Sequence, residues 1–298
     1  MASRAGFRAQ SAMEYLMTYG WAILIIAVVL GALFSIGVFN PMSFEPKAQP
    51  GSCQVFRPYG AGTNADANLE GVCTGEMPEF VGRFNGPNSY VSMSAADMPA
   101  GDSARSFTGW IYISDPSELT DGNRNGIFGY GTVGGGNYAY IELMALSGNL
   151  WADNIAGCYQ SPLILQPNKW YFVAFTYAQG STMYTVYLDN QKETGSCGPG
   201  SELNTPTSAI AYIGLYAYFG QGTFGYISNI QVYNTSLGTN SIDALYRSGI
   251  GGAPIDLHNI VGWWPLNGNA NDYSGNSNDG TPSNVLFTSS WANSYVPP

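Results

Sequence analysis

The eight residues WYFVAFTY, Trp170–Tyr177, form a continuous run without a charged side chain. A short apolar run of this kind predicts a strand that is buried on both faces. Working outward, Tyr184–Leu188 alternates in polarity and ends at the turn pair Asp189-Asn190. Further strands are predicted at Phe107–Ile113 and Phe224–Val232, and a short helix at Ser241–Tyr246 that packs on the strands. Many short strands separated by turns predict a β-sandwich or barrel.

The composition agrees with a β-rich body outside the cell. Only 10% of the 298 residues are charged, whereas 14% are aromatic and 38 are glycine. Typical domains carry about 25% charged residues. The net charge of −10 argues against nucleic-acid binding, which requires clustered Lys and Arg.

Five phrases resemble the laminin G-like, or concanavalin A-like, jelly roll. The resemblance implies a head domain over residues 79–298 with this fold. The phrases, which span residues 80–281, are FVGRFNGPNSYVSM (Phe80–Met93), NKWYFVAFTY (Asn168–Tyr177), YTVYLDNQK (Tyr184–Lys192), GYISNIQVYNTSLGTNSIDALYRSG (Gly225–Gly249) and IVGWWPLNGNANDYSGNSNDGT (Ile260–Thr281).

The last of these phrases is out of the usual family order, in which it opens the domain. Its position implies that the first strand of the fold has moved to the C-terminus, as in a circular permutation. We therefore expect Ile260–Leu266 to be a strand buried in the head's own sheet, with Pro265 at a strand end or on a sheet edge. The alternative is that this strand pairs with the sheet of a neighbouring subunit.

The N-terminus, MASRAGFRAQSAMEYLMTYGWAILIIAVVLGALFSIGVFN (residues 1–40), has a different character. A basic start, with Arg4 and Arg8, leads to the single carboxylate Glu14 and then to an uncharged apolar run, Trp21–Phe39. Such a run is long enough for a membrane-spanning helix, and Pro41 should stop it. One interpretation is therefore a plain membrane anchor.

Residues 4–39 also resemble the class III signal of archaeal type IV pilin-like proteins. The resemblance implies cleavage between Ala9 and Gln10 by a prepilin peptidase, with residues 1–9 as the leader. It also implies that residues 10–40 form a hydrophobic helix that lies in the membrane before assembly, enters a homopolymer through a membrane assembly platform, and forms the filament core. Glu14 would then pair with the new α-amino group of Gln10 in a neighbouring subunit.

Residues 41–78 are predicted to be an irregular neck, because proline and glycine recur in them. The four cysteines, Cys53, Cys73, Cys158 and Cys197, have no metal-binding spacing, and beyond an export signal they predict two disulfides. The most local pairing is Cys53–Cys73 with Cys158–Cys197. Free buried thiols are the alternative.

No enzymatic activity is predicted. His258 is the only histidine, the motifs of common hydrolases are absent, and no strand carries the pair of carboxylates that a glycosidase needs. Asp272 and Asp279 are candidates for a calcium site among loop carbonyls, with a plain turn cluster as the alternative. Asn234, in Asn234-Thr235-Ser236, is a candidate for N-glycosylation.

The predicted fold class is thus α+β: a long N-terminal hydrophobic helix followed by an all-β jelly-roll sandwich. The predicted function is that of an archaeal extracellular type IV pilus-like filament subunit whose head serves adhesion, with surface glycans as a further partner. The two alternatives are a motility filament of the archaellum type and a single-copy, membrane-anchored carbohydrate-binding module. The predicted location is the cell surface, with no cofactor other than a possible calcium ion.

Overall fold

The computed structural model describes residues 6–35, 46–120, 122–132, 140–154, 159–206 and 209–298. In two elements only some side chains are described: from Tyr19 onward in the first helix, and from Glu142 onward in the strand that begins at Tyr140. The chain divides into two compact units, Met1–Glu45 and Pro46–Pro298, and each is described by itself.

The first unit contains one helix, α1 (Gly6–Ser35), of 30 residues. The predicted helix began at Gln10; α1 begins four residues earlier and runs without a break through Ala9 and Gln10. The end predicted at Asn40 lies outside the described residues. Between Tyr19 and Ser35 nearly every side chain is exposed, including Trp21 and Ile23 at 68% and 66%. No helix in the described ranges meets the length and apolarity needed to cross a membrane.

The described part of the second unit is built mainly from strands, and it contains helix α2 (Thr239–Arg247) and short 3-10 turns at Pro116–Leu119 and Ala292–Ser294. In chain order the strands are β1 (Lys47–Ala48), β2 (Cys53–Phe56), β3 (Asn68–Gly71), β4 (Met77–Pro78), β5 (Val81–Asn85), β6 (Tyr90–Ser94), β7 (Arg105–Ile113), β8 (Arg124–Gly131), β9 (Tyr140–Leu146), β10 (Asn149–Asp153), β11 (Gln160–Ile164), β12 (Trp170–Tyr177), β13 (Met183–Leu188), β14 (Gln191–Ser196), β15 (Ile210–Ile213), β16 (Leu215–Tyr216), β17 (Gln221–Gly222), β18 (Phe224–Tyr233), β19 (Ile260–Trp264), β20 (Thr281–Ser283) and β21 (Leu286–Thr288).

Two antiparallel sheets form the sandwich. The seven-stranded sheet has the order β11-β10-β9-β8-β15-β6-β20, and the eight-stranded sheet has the order β14-β13-β12-β7-β18-β5-β21, with β19 also paired to β18. The core lies between the sheets and contains aromatic pairs such as Phe107 and Phe128, whose ring centroids are 4.9 Å apart. The predicted β-sandwich is confirmed.

Strand β12 shows why its sequence is continuously apolar. Its inner residues, such as Phe175, pack in the core, as a strand of a sandwich should. Its outer residues are covered as well: Phe172 lies against Tyr246 of α2, and Trp170 lies against Trp291 of the C-terminal segment. All eight positions of the strand are therefore buried.

The strand expected at Ile260–Leu266 is β19. It pairs antiparallel with β18 of the same chain, with Trp264 opposite Ile230. Trp264 is fully buried in the core, where its ring stacks on Phe128. Trp263, on the other face, is 3% exposed and lines a small pocket with the segment around Cys53. The prediction of a strand buried in the head's own sheet is confirmed, and Pro265 follows its last residue.

The segment predicted as an irregular neck is more ordered than its proline and glycine content indicates. Residues 46–78 contain the antiparallel hairpin β2–β3 and strand β1, which pairs in parallel with β4. Arg57, which is only 6% exposed, connects this segment to the C-terminal region through hydrogen bonds. Its guanidinium donates hydrogen bonds to the carbonyl oxygens of Ser274 and Ile260, both at 2.9 Å. These anchors lie about 200 residues away in sequence, which is why local patterns could not reveal them.

Candidate functional site

The outer face of the seven-stranded sheet carries a cluster of acidic and aromatic side chains. Glu142 of β9 and Asp153 of β10 lie directly opposite each other in the strand register. Cross-strand partners project from the same face of a sheet, so the two carboxylates are neighbours. Both are nearly inaccessible, at 0% and 4% exposure. Sequence patterns do not predict this pair, because the two residues come from different strands and only the strand register brings them together.

Tyr216 of β16 covers this pair. Its hydroxyl donates a hydrogen bond to the carboxylate of Asp153. Burial, followed by the negative charge of Asp153, raises the pKa of the Tyr216 phenol. The close approach of β16 requires Gly126 of β8, since an added Cβ there would lie 2.4 Å from both Glu142 Oε1 and the carbonyl carbon of Leu215.

An exposed aromatic surface adjoins the acidic pair. Phe219 is 54% exposed, and the guanidinium of Arg124 lies 4.2 Å from its ring centroid. Trp151, on the same face of β10 as Asp153, is half-buried, and its indole N–H has no hydrogen-bond partner among the described residues. We name Arg124, Glu142, Trp151, Asp153, Tyr216 and Phe219 the outer cluster.

The outer cluster combines groups that recognise sugars: aromatic rings, an arginine and an indole N–H. Glycoside hydrolysis needs more, namely two carboxylates that reach the glycosidic bond from either side. Glu142 and Asp153 are shielded from solvent, and Tyr216 holds Asp153. The arrangement therefore fits binding at the aromatic rim better than chemistry at the carboxylates.

The candidate calcium residues lie in a tightly bonded loop after β19. Asp272 Oδ1 accepts hydrogen bonds from the backbone N–H groups of Trp263 and Ser274, at 2.9 and 2.8 Å. Its Oδ2 accepts from the Ser274 hydroxyl and the Asn278 N–H, at 2.8 and 2.9 Å. Asp279 in turn accepts from the N–H of Asp272. Burial raises the pKa of Asp272, and these backbone hydrogen bonds oppose that shift.

This bonding gives a calcium site no support. The lone pairs of Asp272 that a cation would use already accept hydrogen bonds, and they shape the loop. Among the described residues no group of three or more His, Cys, Asp or Glu side chains could hold a metal ion. The observed contacts are those of a turn cluster, and calcium binding at Asp272 and Asp279 stays a prediction.

Asn229 of β18 also has a structural role. Its φ of 53° marks the point at which the edge of β18 passes from β5 to β19. Its amide donates to the carbonyl of Gly252 at 2.8 Å, and its Oδ1 accepts from the indole of Trp263 at 2.7 Å. An asparagine can donate and accept at once, which an aspartate cannot.

The cysteines follow the predicted pattern where they are described. Cys53 and Cys73 form a disulfide across the β2–β3 hairpin. Cys197 is also disulfide-bonded, and there is no free cysteine among the described residues. Cys158 lies outside the described residues, so the pairing Cys158–Cys197 stays a prediction.

The remaining predicted residues are placed as follows. Asn234 is exposed directly after β18, and His258 is exposed in the turn before β19. The side chains of Ala9, Gln10 and Glu14 lie outside the described part of the helix. The cleavage and assembly roles assigned to them stay predictions.

Comparison with known proteins bears on the head. A family described as Laminin_G_3, the concanavalin A-like lectin/glucanases superfamily, matches residues 85–243, more than half of the chain. No curated protein sequence matches significantly. The match does not reach the N-terminal 84 residues, so the resemblance to pilin-like proteins gains nothing from it.

Several solved structures have a similar fold. A "putative carbohydrate binding protein" from Bacteroides ovatus ATCC 8483 is 17% identical, with a TM-score of 0.50; the match covers 74% of this chain and 66% of that one. A heptameric SAP-like pentraxin from Limulus polyphemus is 15% identical, with a TM-score of 0.49, over 70% of this chain and 94% of that one. Domains LG4-5 of the mouse laminin alpha1 chain are 13% identical, with a TM-score of 0.41, over 57% and 47%. At such identities the likeness concerns the fold alone. The family match and the two-sheet sandwich together establish that the chain belongs to the concanavalin A-like lectin/glucanases superfamily.

Proposed function

We propose that this protein is a structural subunit of an extracellular filament, which polymerises through α1 and displays its β-sandwich head for adhesion. The observation that carries the proposal is the exposed, uncharged stretch Tyr19–Ser35 of α1. Four consecutive residues, Ile23–Ile26, are all more than half exposed. Successive residues lie about 100° apart around a helix, so these four cover every face.

A helix that is apolar on all faces is stable only when it is surrounded. Burying one Leu, Ile or Val side chain contributes about 1.5–3 kcal/mol, so α1 has a strong drive to find apolar neighbours. A single groove would cover only one face. A bundle of like helices, or lipid before assembly, covers all of them.

The glycines of α1 support packing between helices. An added Cβ at Gly20 or Gly31 would meet nothing within 4 Å in the described chain, so the fold of the monomer does not need glycine there. Glycine inside a helix costs about 1 kcal/mol relative to alanine. Small residues at such positions allow two apolar helices to approach closely.

Glu14 provides the test of assembly. In the proposed filament it pairs with the α-amino group of Gln10, which cleavage after Ala9 creates. We expect Glu14→Ala to insert into the membrane normally but to yield few fibres, because the buried amine loses its partner. Electron microscopy of fibres sheared from cells measures the yield, and Met17→Ala, an uncharged change on the same helix, is the control. A normal fibre yield from Glu14→Ala would show that assembly does not require the pairing of Glu14 with the α-amino group of Gln10.

The same material distinguishes the alternatives. A motility filament would require the subunit for swimming, so a deletion strain that still swims favours the adhesive pilus. A single-copy anchored module would give no fibres in wild-type cells, and that result would overturn the filament proposal itself.

A second function, carbohydrate binding by the head, is favoured by the outer cluster. The B. ovatus relative is described as binding carbohydrate, and exposed Phe219 next to Arg124 offers a surface for a sugar ring. We expect Phe219→Ala to weaken binding to a glycan array at least about tenfold, the effect of losing about 1.4 kcal/mol. Phe56→Ala, which removes another exposed aromatic ring from β2, should leave binding unchanged. Equal loss in both variants would refute a site at the outer cluster.

A further inference from the structure

Asn234 lies at a junction between well-fixed elements. It follows the last residue of β18, and its backbone N–H donates to the carbonyl of Asn259 at 2.9 Å. Its side chain is exposed, while Thr235 and Ser236 behind it are half-buried. The backbone of the sequon is therefore held in place, and the amide that would carry a sugar extends into solvent.

A cleft of about 340 Å³ opens beside this amide. It falls within the range of about 300–1,000 Å³ that is usual for small-molecule sites. Its lining residues are Ala61, Gly62, Asn64, Asp97, Asn234, Ile260, Val261 and Asn276.

The walls of the cleft are fixed by hydrogen bonds within the protein. Arg57 donates to the Asn64 side-chain oxygen at 3.1 Å, and the Gly62 N–H donates to the Asn276 side-chain oxygen at 3.0 Å. Asn276 is bonded in turn to the carbonyl of Val261 at 2.9 Å. Because these hydrogen bonds hold the walls in place, filling the cleft requires little ordering of the chain.

The chemistry of the cleft suits a sugar ring. Ile260 and Val261 line the base of the cleft, and both are buried. The amide of Asn64 and the carboxylate of Asp97, both exposed, lie at its edge and can bond hydroxyl groups.

We propose that Asn234 carries an N-linked glycan whose first sugar lies in this cleft. The donor is a sugar linked through phosphate to a lipid. The Asn234 Nδ2 forms a C–N bond to the anomeric carbon, the C–O bond to phosphate breaks, the phosphate leaves with the electron pair, and the amide loses one proton. The modification depends on export of the head and not on filament formation, so its test is independent of the proposed function.

The first test is mass spectrometry of the full chain recovered from the cells that produce it. Chymotrypsin cleaves after Tyr233 and yields a peptide that begins at Asn234. We expect sugar mass increments on Asn234 in most copies. Ser236→Ala should abolish them because it destroys the sequon, whereas Thr235→Ala keeps the sequon and should retain them. An unmodified wild-type peptide, or a sugar on Thr235 or Ser236, would overturn the proposal.

The second test concerns the cleft. Hydrogen exchange of residues 60–64 should be at least about threefold slower in the glycosylated protein than in Ser236→Ala, since the sugar would cover this loop. The non-glycosylated Asn234→Gln should match Ser236→Ala. Equal exchange in glycosylated and non-glycosylated protein would place the sugar outside the cleft.

Discussion

Replacing Arg57 with methionine tests how the neck is attached to the head. Methionine has a similar length but no donors, so the variant removes the hydrogen bonds to Ser274 O, Ile260 O and Thr63 O, at 2.9, 2.9 and 2.7 Å. Ile260 O also accepts from Asn276, so the main loss falls on the other two carbonyls. Each buried acceptor without a donor costs about 1–3 kcal/mol.

Burial of the guanidinium offsets part of this loss. Desolvation lowers the pKa of Arg57, while the charge of Asp272 acts in the opposite direction. Removing the guanidinium therefore also removes a desolvation cost, and we expect a net destabilisation of about 2–4 kcal/mol. For a unit of this size, that corresponds to a Tm lower by about 5–15 °C.

The assay is denaturant and thermal unfolding of residues 46–298, which form a compact unit with their own core. Arg57→Lys keeps the charge but cannot donate hydrogen bonds to several separate carbonyls at once. We therefore expect it to lower the unfolding free energy by roughly half as much as Arg57→Met does. Arg83→Met, at an exposed position of β5, is the matched control and should change stability by less than about 0.5 kcal/mol. If Arg57→Met has the same unfolding free energy and Tm as the wild type, the hydrogen bonds of Arg57 do not contribute to stability.

Three further predictions follow from the head. Deleting everything after Gly252 should unfold it, because β19 and the core residue Trp264 are lost; a truncated head that stays protease-resistant and unfolds cooperatively would contradict this. Non-reducing peptide mapping should recover Cys158 linked to Cys197, a bridge worth about 3–4 kcal/mol in the chain-entropy model; linkage of Cys158 to another cysteine would refute it. Burial raises the pKa of Tyr130 to about 12, so the folded state keeps a proton that the unfolded state loses near pH 10. The contribution of Tyr130 to stability should therefore be complete below about pH 10 and decrease by up to about 1.4 kcal/mol per pH unit between about pH 10 and 12. Urea unfolding at several pH values across this range measures the unfolding free energy. In Tyr130→Phe this free energy should decrease less steeply with pH than in the wild type, and an equal pH dependence would contradict the raised pKa of Tyr130.

The elements that the sequence predicted best are those with a local cause. Strand β12 has the predicted bounds because a continuous apolar run is itself the signal of burial on both faces. Helix α2 was predicted at Ser241–Tyr246 and extends to Thr239–Arg247, an uncertainty normal for helix ends. Strand β19 is predicted by its sequence phrase and its two adjacent tryptophans, and the structure has it at Ile260–Trp264.

The parts that escaped prediction depend on pairing between distant residues. The carboxylates of Glu142 and Asp153 meet only through the register of β9 and β10, which no single strand encodes. The sequence of the β2–β3 hairpin predicts irregular structure, because the hydrogen bonds of Arg57 that stabilise this segment go to Leu257 and Ser274, far away in the chain. The role of Asn229 likewise depends on distant partners, because it donates a hydrogen bond to Gly252 and accepts one from Trp263.

The position of β19 gives the proposed filament a mechanical rationale. In a fibre built on α1, a pull on the head would enter the compact unit at Pro46 and pass along the neck. The neck is bonded to β19 through Arg57 and covers Trp263 on its outer face. Strand β19 is in turn paired with β18, which also joins β7 and β5 inside the eight-stranded sheet. A C-terminal strand so placed connects the point of attachment to the middle of the sandwich. Strand β19 pairs only with β18 among the described strands, whereas β18 is hydrogen-bonded on both sides, to β7 on one and to β5 and β19 on the other, so a load on β19 passes into the interior of the sheet.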